Sequence, residues 1–348
     1  MAFTLAELSE LDAVSGCEDE ARVYIISNIK GKCDKLEVDS LGNVIAFKKG
    51  KSDKHTILLG TNIDEVGFIV SDITEKGFIK FKAVGNIDPR TLVSKTVRIG
   101  KNRIPGVIGM KAIHLQKKAE REASVKVSDL YIDIGAYTKK EAEKIVNIGD
   151  YIAFNTEYSE TGERIKGKAL DRFGVVPLIY AMESEPLYDT YFVFSSQREI
   201  PCSIMGRGMK VASYKIKPDY ALIVSTVNTD DSYNAKNSSA HLGKGAIIEF
   251  MDKTSVSDTM FTNELSALAE RNDISAQKKT SSAGTSVAGA VVAASYGAIV
   301  ATVSVPCRYS HSPVCYMNKN DIMAVSKICA AFIRESDVVI NGITKKTN

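Results

Sequence analysis

Four short segments of this 348-residue chain concentrate side chains that can hold a divalent cation or move a proton. They are Thr61-Asn62-Ile63-Asp64-Glu65, Lys168-Ala169-Leu170-Asp171-Arg172, Ser195-Ser196-Gln197-Arg198-Glu199 and Arg308-Tyr309-Ser310-His311-Ser312-Pro313. Carboxylates and imidazoles are common ligands of zinc-type cations, so the four segments, with Asp64, Glu65, Asp171, Glu199 and His311 among them, carry polar groups of metal-site type, none of them specific taken alone. Asp64 and Glu65 resemble a general acid/base pair, but neighbours on a strand face opposite ways and do not readily share one site. Taken singly, each residue also has a plainer reading. Asp171 precedes a helix-forming run and suits an N-cap, Glu199 suits a surface ion pair, and His311 suits the bracing of a turn.

These segments fall where an α/β fold would place them. Apolar spacing through Ala21, Val23, Ile25, Ile26 and Ile29 predicts a helix, and Lys35–Asp39 and Val44–Phe47 read as strands around a Leu41-Gly42-Asn43 turn. From about Glu65 to Thr156 short strands are separated by glycine turns (Gly67–Val70, Gly77–Phe81, Thr96–Ile99, Val107–Gly109), with one helical stretch at Thr138–Ile145. After Lys168, helices alternate with apolar strands: a helix over Gly174–Glu183, a strand over Tyr191–Ser195, a helix near Ser203–Tyr214 and a strand over Tyr220–Val224. Further helices are expected near Met260–Asn272 and Asp321–Glu335. The expected architecture is therefore an α/β sheet covered by helices on both faces, with a small β-barrel-like unit inserted into it. The boundaries are 1–65 with 166–348 for the discontinuous α/β domain and 66–165 for the insert. Open α/β sheets carry their chemistry at the carboxyl ends of strands, where the four polar segments lie.

Composition removes several function classes. The 45 lysines and arginines nearly balance the 42 aspartates and glutamates, which leaves no strong field for nucleic acid or an anionic membrane. Thr280–Cys307 lacks any charged residue and is long enough to span a bilayer. It is instead rich in Ala, Gly, Ser and Thr and is divided at Tyr296-Gly297, which predicts a buried helix feeding the β-branched strand Ile299–Val305. Six scattered cysteines form no metal-ribbon or thioredoxin spacing and read as reduced thiols. Met1–Glu7 carries no basic stretch followed by an apolar core, so a cytoplasmic protein is expected.

Read in order, the motifs are more specific than any one of them. Ser15-Gly16-Cys17-Glu18, Asp39-Ser40-Leu41-Gly42-Asn43, Asn62-Ile63-Asp64-Glu65-Val66-Gly67-Phe68, Ile148-Gly149-Asp150, Ala169-Leu170-Asp171-Arg172, Gln197-Arg198-Glu199 and Pro306–Pro313 form one series. It resembles that of metallopeptidase family 42, the glutamyl and tetrahedral-particle aminopeptidases, some members of which have been labelled endoglucanases. The resemblance implies an aminopeptidase domain with an inserted β domain that mediates dimerisation, and often assembly into dodecamers. It also implies two metals. One would be held at the positions of Asn62, Asp171 and Ser225, and the other at Asp171, Glu199 and His311, with a glutamate general base where this chain has Arg198. Asp64 is carried over as a supporting residue.

This chain departs from that pattern at Asn62, Ser225 and Arg198. The family's Gly-Gly-Thr-Asp loop reads Ala283-Gly284-Thr285-Ser286, and a glutamate after the His-Ser-Pro motif is Cys315. The remaining histidines, His55, His114 and His241, offer no replacement ligand. Asp171, Glu199 and Arg198 sum to about −1 where the family site offers about −4. An arginine about 5 Å from a dication repels it by about 6 to 7 kcal/mol at an effective dielectric of 20. Arginine cannot act as a base. The expectation is an aminopeptidase homologue in which two-metal peptide hydrolysis is lost or strongly reduced, with Arg198 paired to Asp171, Glu199 or both. It would retain self-association and a cleft for a peptide or amino acid. The alternative is a working hydrolase with one divalent metal (zinc, cobalt or manganese) at Asp171, Glu199 and His311. A purely structural subunit is a third reading. The endoglucanase label finds no carboxylate pair at a suitable separation.

Overall fold

The computed structural model describes residues 4–200, 206–229, 231, 239–294 and 297–344. The first strands are β1 (Lys35–Val38), β2 (Val44–Lys48) and β3 (Ser52–Asn62). A closed six-stranded barrel follows from β4 (Gly67–Ile73), β5 (Ile79–Val84), β6 (Thr96–Ile99), β7 (Ile104–Met110), β8 (Leu130–Asp133) and β9 (Tyr151–Phe154), in the order β4-β5-β8-β7-β6-β9. Closure removes the free edges, and the barrel holds its own apolar core around Phe68, Ile79, Val97, Ile132 and Phe154.

The chain leaves the barrel through β10 (Ser159–Thr161) and β11 (Arg164–Gly167), then contributes β12 (Tyr188–Ser195), β13 (Tyr220–Asn228), β14 (Ala246–Glu249), β15 (Ala276–Lys279), β16 (Ile299–Cys307) and β17 (Cys315–Asn318). The main sheet has eight strands in the order β1-β2-β12-β3-β13-β16-β14-β15, and β10-β11-β17 form a separate small sheet. The four central strands β12, β3, β13 and β16 are parallel, with antiparallel neighbours on either side. All four therefore end on the same edge, at Ser195, Asn62, Asn228 and Cys307.

Helices cover both faces because the central strands are apolar on both. Leu59, Leu222 and Val303 belong to a core shared with helices Asp19–Ile29, Val175–Ala181, Thr259–Arg271 and Lys319–Arg334. Their neighbours Leu58, Ala221, Ile223 and Val300 face the other way, against helices Arg207–Ile216 and Ala288–Ala294. The uncharged stretch thus resolves into a largely buried helix and a central strand, and no helix of the described residues is long and apolar enough to cross a membrane. β13 runs past Val224 to Asn228 because Ser225–Asn228 stay in register with Ser304–Cys307. Two local expectations change. A second helical turn, Lys118–Glu122, lies among the barrel strands, held by the Lys117 amide donating to Glu120 at 2.6 Å; its five residues have no apolar period to betray it. The helix expected near Ser203–Tyr214 spans Arg207–Ile216, while Ser203–Met205 lie outside the described residues.

The junction between sheet and barrel is ionic and buried. Glu65 forms an ion pair with Arg172 at 2.6 Å and accepts from Lys168 at 3.3 Å, and all three side chains are at most 1% exposed. Lys168 also reaches Asp12 at 2.5 Å, as does Arg98 of β6. Removing one partner of such a cluster strands buried charge, so Glu65→Gln should cost about 3 to 5 kcal/mol of unfolding free energy in urea titration. A cost below about 1 kcal/mol would contradict this account. Burial opposes ionisation of Asp12, but Lys168, Arg98 and Arg103 override it and hold its pKa below the ordinary 3.8. The resulting stabilisation is complete above about pH 4 and is lost as pH falls through the lowered folded value. Asp12→Asn should therefore flatten the acid limb of the stability–pH curve, measured by thermal melting between pH 2 and about pH 5; an unaltered limb would refute it.

Candidate metal centre

Each polar segment reaches the carboxyl edge of the sheet by a separate route. Beyond the end of β3 the chain alternates: the Asp64 carboxylate accepts the Glu199 amide at 2.8 Å, while Glu65 turns the opposite way into the ionic junction. Asn62, at the end of β3 and nearly fully buried, donates its side-chain amide to the Asp64 carbonyl at 3.2 Å. Asp171 sits in a turn of 3-10 helix, Leu170–Gly174, that packs against β13. Gly174 permits this approach, since a Cβ there would come within 2.2 Å of the Thr61 hydroxyl. Asp171 is not an N-cap. Ala169 holds that position, and the Asp171 backbone carbonyl accepts from Thr226 at 3.2 Å.

Arg198 and Glu199 follow β12 through a turn braced by two motifs to which the sequence assigned no role. Buried Asn43 accepts the Ser196 amide at 2.9 Å, and Glu18 accepts the Gln197 amide at 3.0 Å and the Gly16 amide at 2.7 Å. His311 lies in the loop between β16 and β17. Ala169, Gln197, Tyr309 and His311 all have left-handed backbones, with φ between 53° and 60°. Such conformations are costly for residues with a Cβ and persist where the surroundings enforce them. All four lie in or beside the ligand-bearing segments.

Asp171, Glu199 and His311 converge: one ligand atom from each lies within 4.8 Å of the others, and among the described residues this is the one group of its kind. His311 Nε2 is 3.3 Å from Glu199 Oε1 and 4.0 Å from Asp171 Oδ2. Arg198 enters the same cluster. It is 3% exposed, donates from Nη1 to Glu199 Oε1 at 2.5 Å and from Nη2 to the Thr285 carbonyl at 2.8 Å. Ser225 is buried on β13 in register with Ser304, whose hydroxyl donates to Glu249, itself paired with Lys279 at 2.8 Å. The other histidines lie elsewhere: His55 meets Tyr188 and Tyr220 edge-on, and His114 and His241 are exposed.

The sequence profile of the M42 glutamyl aminopeptidases matches residues 42–328. The chain belongs to this family. A relative from Acetivibrio thermocellus, provisionally described as an aminopeptidase, is 35% identical over 327 residues, covering 93% of this chain and 96% of the relative. Aminopeptidase APDkam598 from the archaeon Desulfurococcus kamchatkensis superposes with a TM-score of 0.91 at 31% identity, over 97% of this chain and 96% of that one. The Pyrococcus horikoshii TET1 peptidase, described as able to assemble into a tetrahedron or a large octahedral shell, is similar at 29% identity. Its TM-score is 0.82, over 94% of this chain and 98% of that one.

M42 peptidases are metal-dependent, and the donor set here fits one cation. Asp171 Oδ2 and Glu199 Oε2 are buried with no hydrogen-bond partner, which leaves two carboxylate oxygens available as ligands. At the positions that the family resemblance assigns to a second cation, Asn62 and Ser225 are neutral, and the Arg198 guanidinium lies against Glu199. Burial pushes all the carboxyls up. At Glu199 the Arg198 and His311 charges reverse this and hold it down to about 2. Asp171 stays raised, since burial and Glu199 outweigh the opposing pull of His311 and Arg198. Asp64 is pushed up to about 7 by burial and then by Glu199. Burial and Arg198 disfavour the His311 imidazolium, but Glu199 and Asp171 raise its pKa above the ordinary 6.5.

A dication bound at Glu199 would have to compete with Arg198 for that carboxylate. Arg198→Ala should melt at lower temperature than wild type in a chelator, then recover by several degrees in manganese, with at least about tenfold tighter manganese binding by calorimetry. Equal affinities in the two proteins would refute the competition.

Proposed function

We propose that this chain is an aminopeptidase homologue whose two-metal peptide hydrolysis is lost or strongly reduced, with Arg198 occupying the electrostatic place of a cation. The observation that carries the reading is the buried Arg198 guanidinium, paired with Glu199 rather than turned to solvent. Three changes act together in it. Asn62 and Ser225 remove two anionic or imidazole ligands, and Arg198 replaces the proton acceptor with a group that cannot accept a proton. Loss of a general base alone commonly lowers rates by about 100- to 10,000-fold.

A one-metal hydrolase is the second reading, favoured by the unpartnered oxygens of Asp171 and Glu199 beside His311. Those three residues would hold zinc, cobalt or manganese, which when bound supplies Lewis-acid polarisation of a substrate carbonyl. Asp64 would keep its place behind Glu199 by accepting the Glu199 amide, and Arg198 would have to leave Glu199 to bind a developing negative charge or a substrate carboxylate.

In either reading the chain self-associates as a dimer or a larger shell, for which the assemblies described for the TET1 peptidase are the support. The inserted unit, residues 66–165, is the proposed contact region, and a peptide or amino acid is the proposed ligand of the cleft. We assign it to the cytoplasm, where the five described cysteines, all free, would stay reduced.

Metal content after chelator-free purification and turnover on a panel of aminoacyl substrates test the proposal. The expected result is at most one dication per chain and turnover at background with zinc, cobalt or manganese. Two tightly bound dications or robust turnover would overturn it. One dication with turnover, both abolished by His311→Ala, would select the one-metal reading. The triple variant Asn62→His, Arg198→Glu, Ser225→Asp should bind a second dication and gain at least about 100-fold in turnover. A variant that folds and binds two metals without that gain would count against these three positions as the cause.

A further inference from the structure

Beyond His311 the chain continues through Ser312, Pro313 and Val314 into β17. The barrel segment between β5 and β6, residues 85–95, begins against the same cluster: a Cβ added to Gly85 would lie 3.3 Å from the Glu199 Cβ. These two segments enclose a groove of about 360 Å³, a volume within the range of small-ligand sites. Its lining includes Arg90, Val93 and Lys95 of the barrel and Ser312, Pro313 and Val314 of the loop. The loop wall is fixed in place, since the Thr156 hydroxyl donates to the Pro313 carbonyl at 2.6 Å and the Ser310 amide donates to Asn228 at 3.2 Å.

Both charged groups of the lining are cations. Arg90 is already engaged, donating from Nε to both carboxylate oxygens of Asp88 at 3.0 Å and from Nη2 to one of them at 2.6 Å. Lys95 is not: among the described residues its ammonium group has neither a hydrogen bond nor an ion-pair partner. Its backbone, by contrast, is held. The Lys95 amide donates to the Leu92 carbonyl at 3.1 Å, and its carbonyl accepts the Ile108 amide at 2.9 Å. Ser94 before it has a left-handed backbone, φ 66°, and donates its amide to the Ile108 carbonyl at 2.8 Å. A pinned backbone thus delivers one free positive charge to a groove whose other walls include the apolar side chains of Val93, Pro313 and Val314. That combination suits a carboxylate attached to a small apolar body.

We propose that this groove receives the C-terminal carboxylate of a short peptide, whose remaining length reaches the Asp171–Glu199–His311 cluster. Val314 lies three residues beyond His311, at most about 11 Å along the chain, a span that about three extended peptide residues cover. Lys95 pairs with the carboxylate, and Val93, Pro313 and Val314 flank the last side chain. In a longer polypeptide the carboxylate lies too far along the chain to make this contact. The assignment rests on the reading of the cleft as a peptide site and adds the class of peptide: short, with a free C-terminus. It does not depend on a metal.

An aspartate or glutamate side chain offers the same carboxylate chemistry, so three probes separate the sources: trialanine, trialanine amide and Ala-Ala-Glu amide. Each is titrated by calorimetry into the full chain, in chelator and in manganese. Trialanine should bind at least about fivefold more tightly than its amide, and added salt should erase the difference. Lys95 is exposed, so its substitutions are compatible with folding. Lys95→Glu should abolish the preference for the acid and Lys95→Arg should keep it. Lysine labelling mapped by mass spectrometry should show that trialanine protects Lys95 and leaves exposed Lys101 reactive. Equal affinities for acid and amide, or a preference that survives Lys95→Glu, would overturn the groove while leaving the peptide reading standing. Tighter binding of Ala-Ala-Glu amide than of trialanine would overturn the C-terminal assignment in favour of an acidic side chain. If none of the three binds under either condition, the peptide reading of the cleft fails and the groove proposal fails with it.

Discussion

Buried negative charge at the carboxyl edge of the sheet has to be balanced, and the site is organised by how that is done. Asp64, Glu65, Asp171 and Glu199 are each at most 2% exposed. Uncompensated, each would cost several kcal/mol of desolvation or remain protonated. Toward the ionic junction, Glu65 is met by Lys168 and Arg172. In the cluster, Glu199 is met by Arg198 and His311, while Asp171 and Asp64 have raised pKa values. Arg198 has a structural part in that balance. It supplies positive charge where the fold has already gathered carboxylates, and so lets the segment after β12 stay buried.

The same segments carry backbone strain. Left-handed residues at Ala169, Gln197, Tyr309 and His311 aim Asp171, Glu199 and His311 at one another. Their cost is met by neighbours well outside the cluster: Glu18 and Asn43 brace the Arg198–Glu199 turn, and the Arg308–Tyr316 bridge closes the His311 loop. A scaffold that still enforces this convergence keeps a defined polar site even with Arg198 inside it.

The apolar pattern made most of the sheet legible. Runs such as Ile299–Val305 and Tyr220–Val224 are apolar on both faces, as central parallel strands between two helical layers must be. The short helix Lys118–Glu122 escaped because its stability comes from one cap rather than from a buried face. The roles of Glu18 and Asn43 escaped for a related reason. Each satisfies a backbone amide more than 150 residues away in the chain, and nothing in local spacing records a partner at that range. The Glu65–Lys168–Arg172 cluster was hidden likewise, its members reading as ordinary charged residues until their burial was known.

Sequence alone determined the family, the α/β class and the types of side chain available, because motif order and apolar periodicity are local properties that survive without coordinates. It also contained the neutral residues at 62 and 225 and the cation at 198. Only the tertiary structure decided that Asp171, Glu199 and His311 converge and that Arg198 points inward onto Glu199. The physical reason is that charge pairing and metal ligation depend on distance and burial. Both are set by the meeting of four parallel strand ends, which no single segment of sequence encodes.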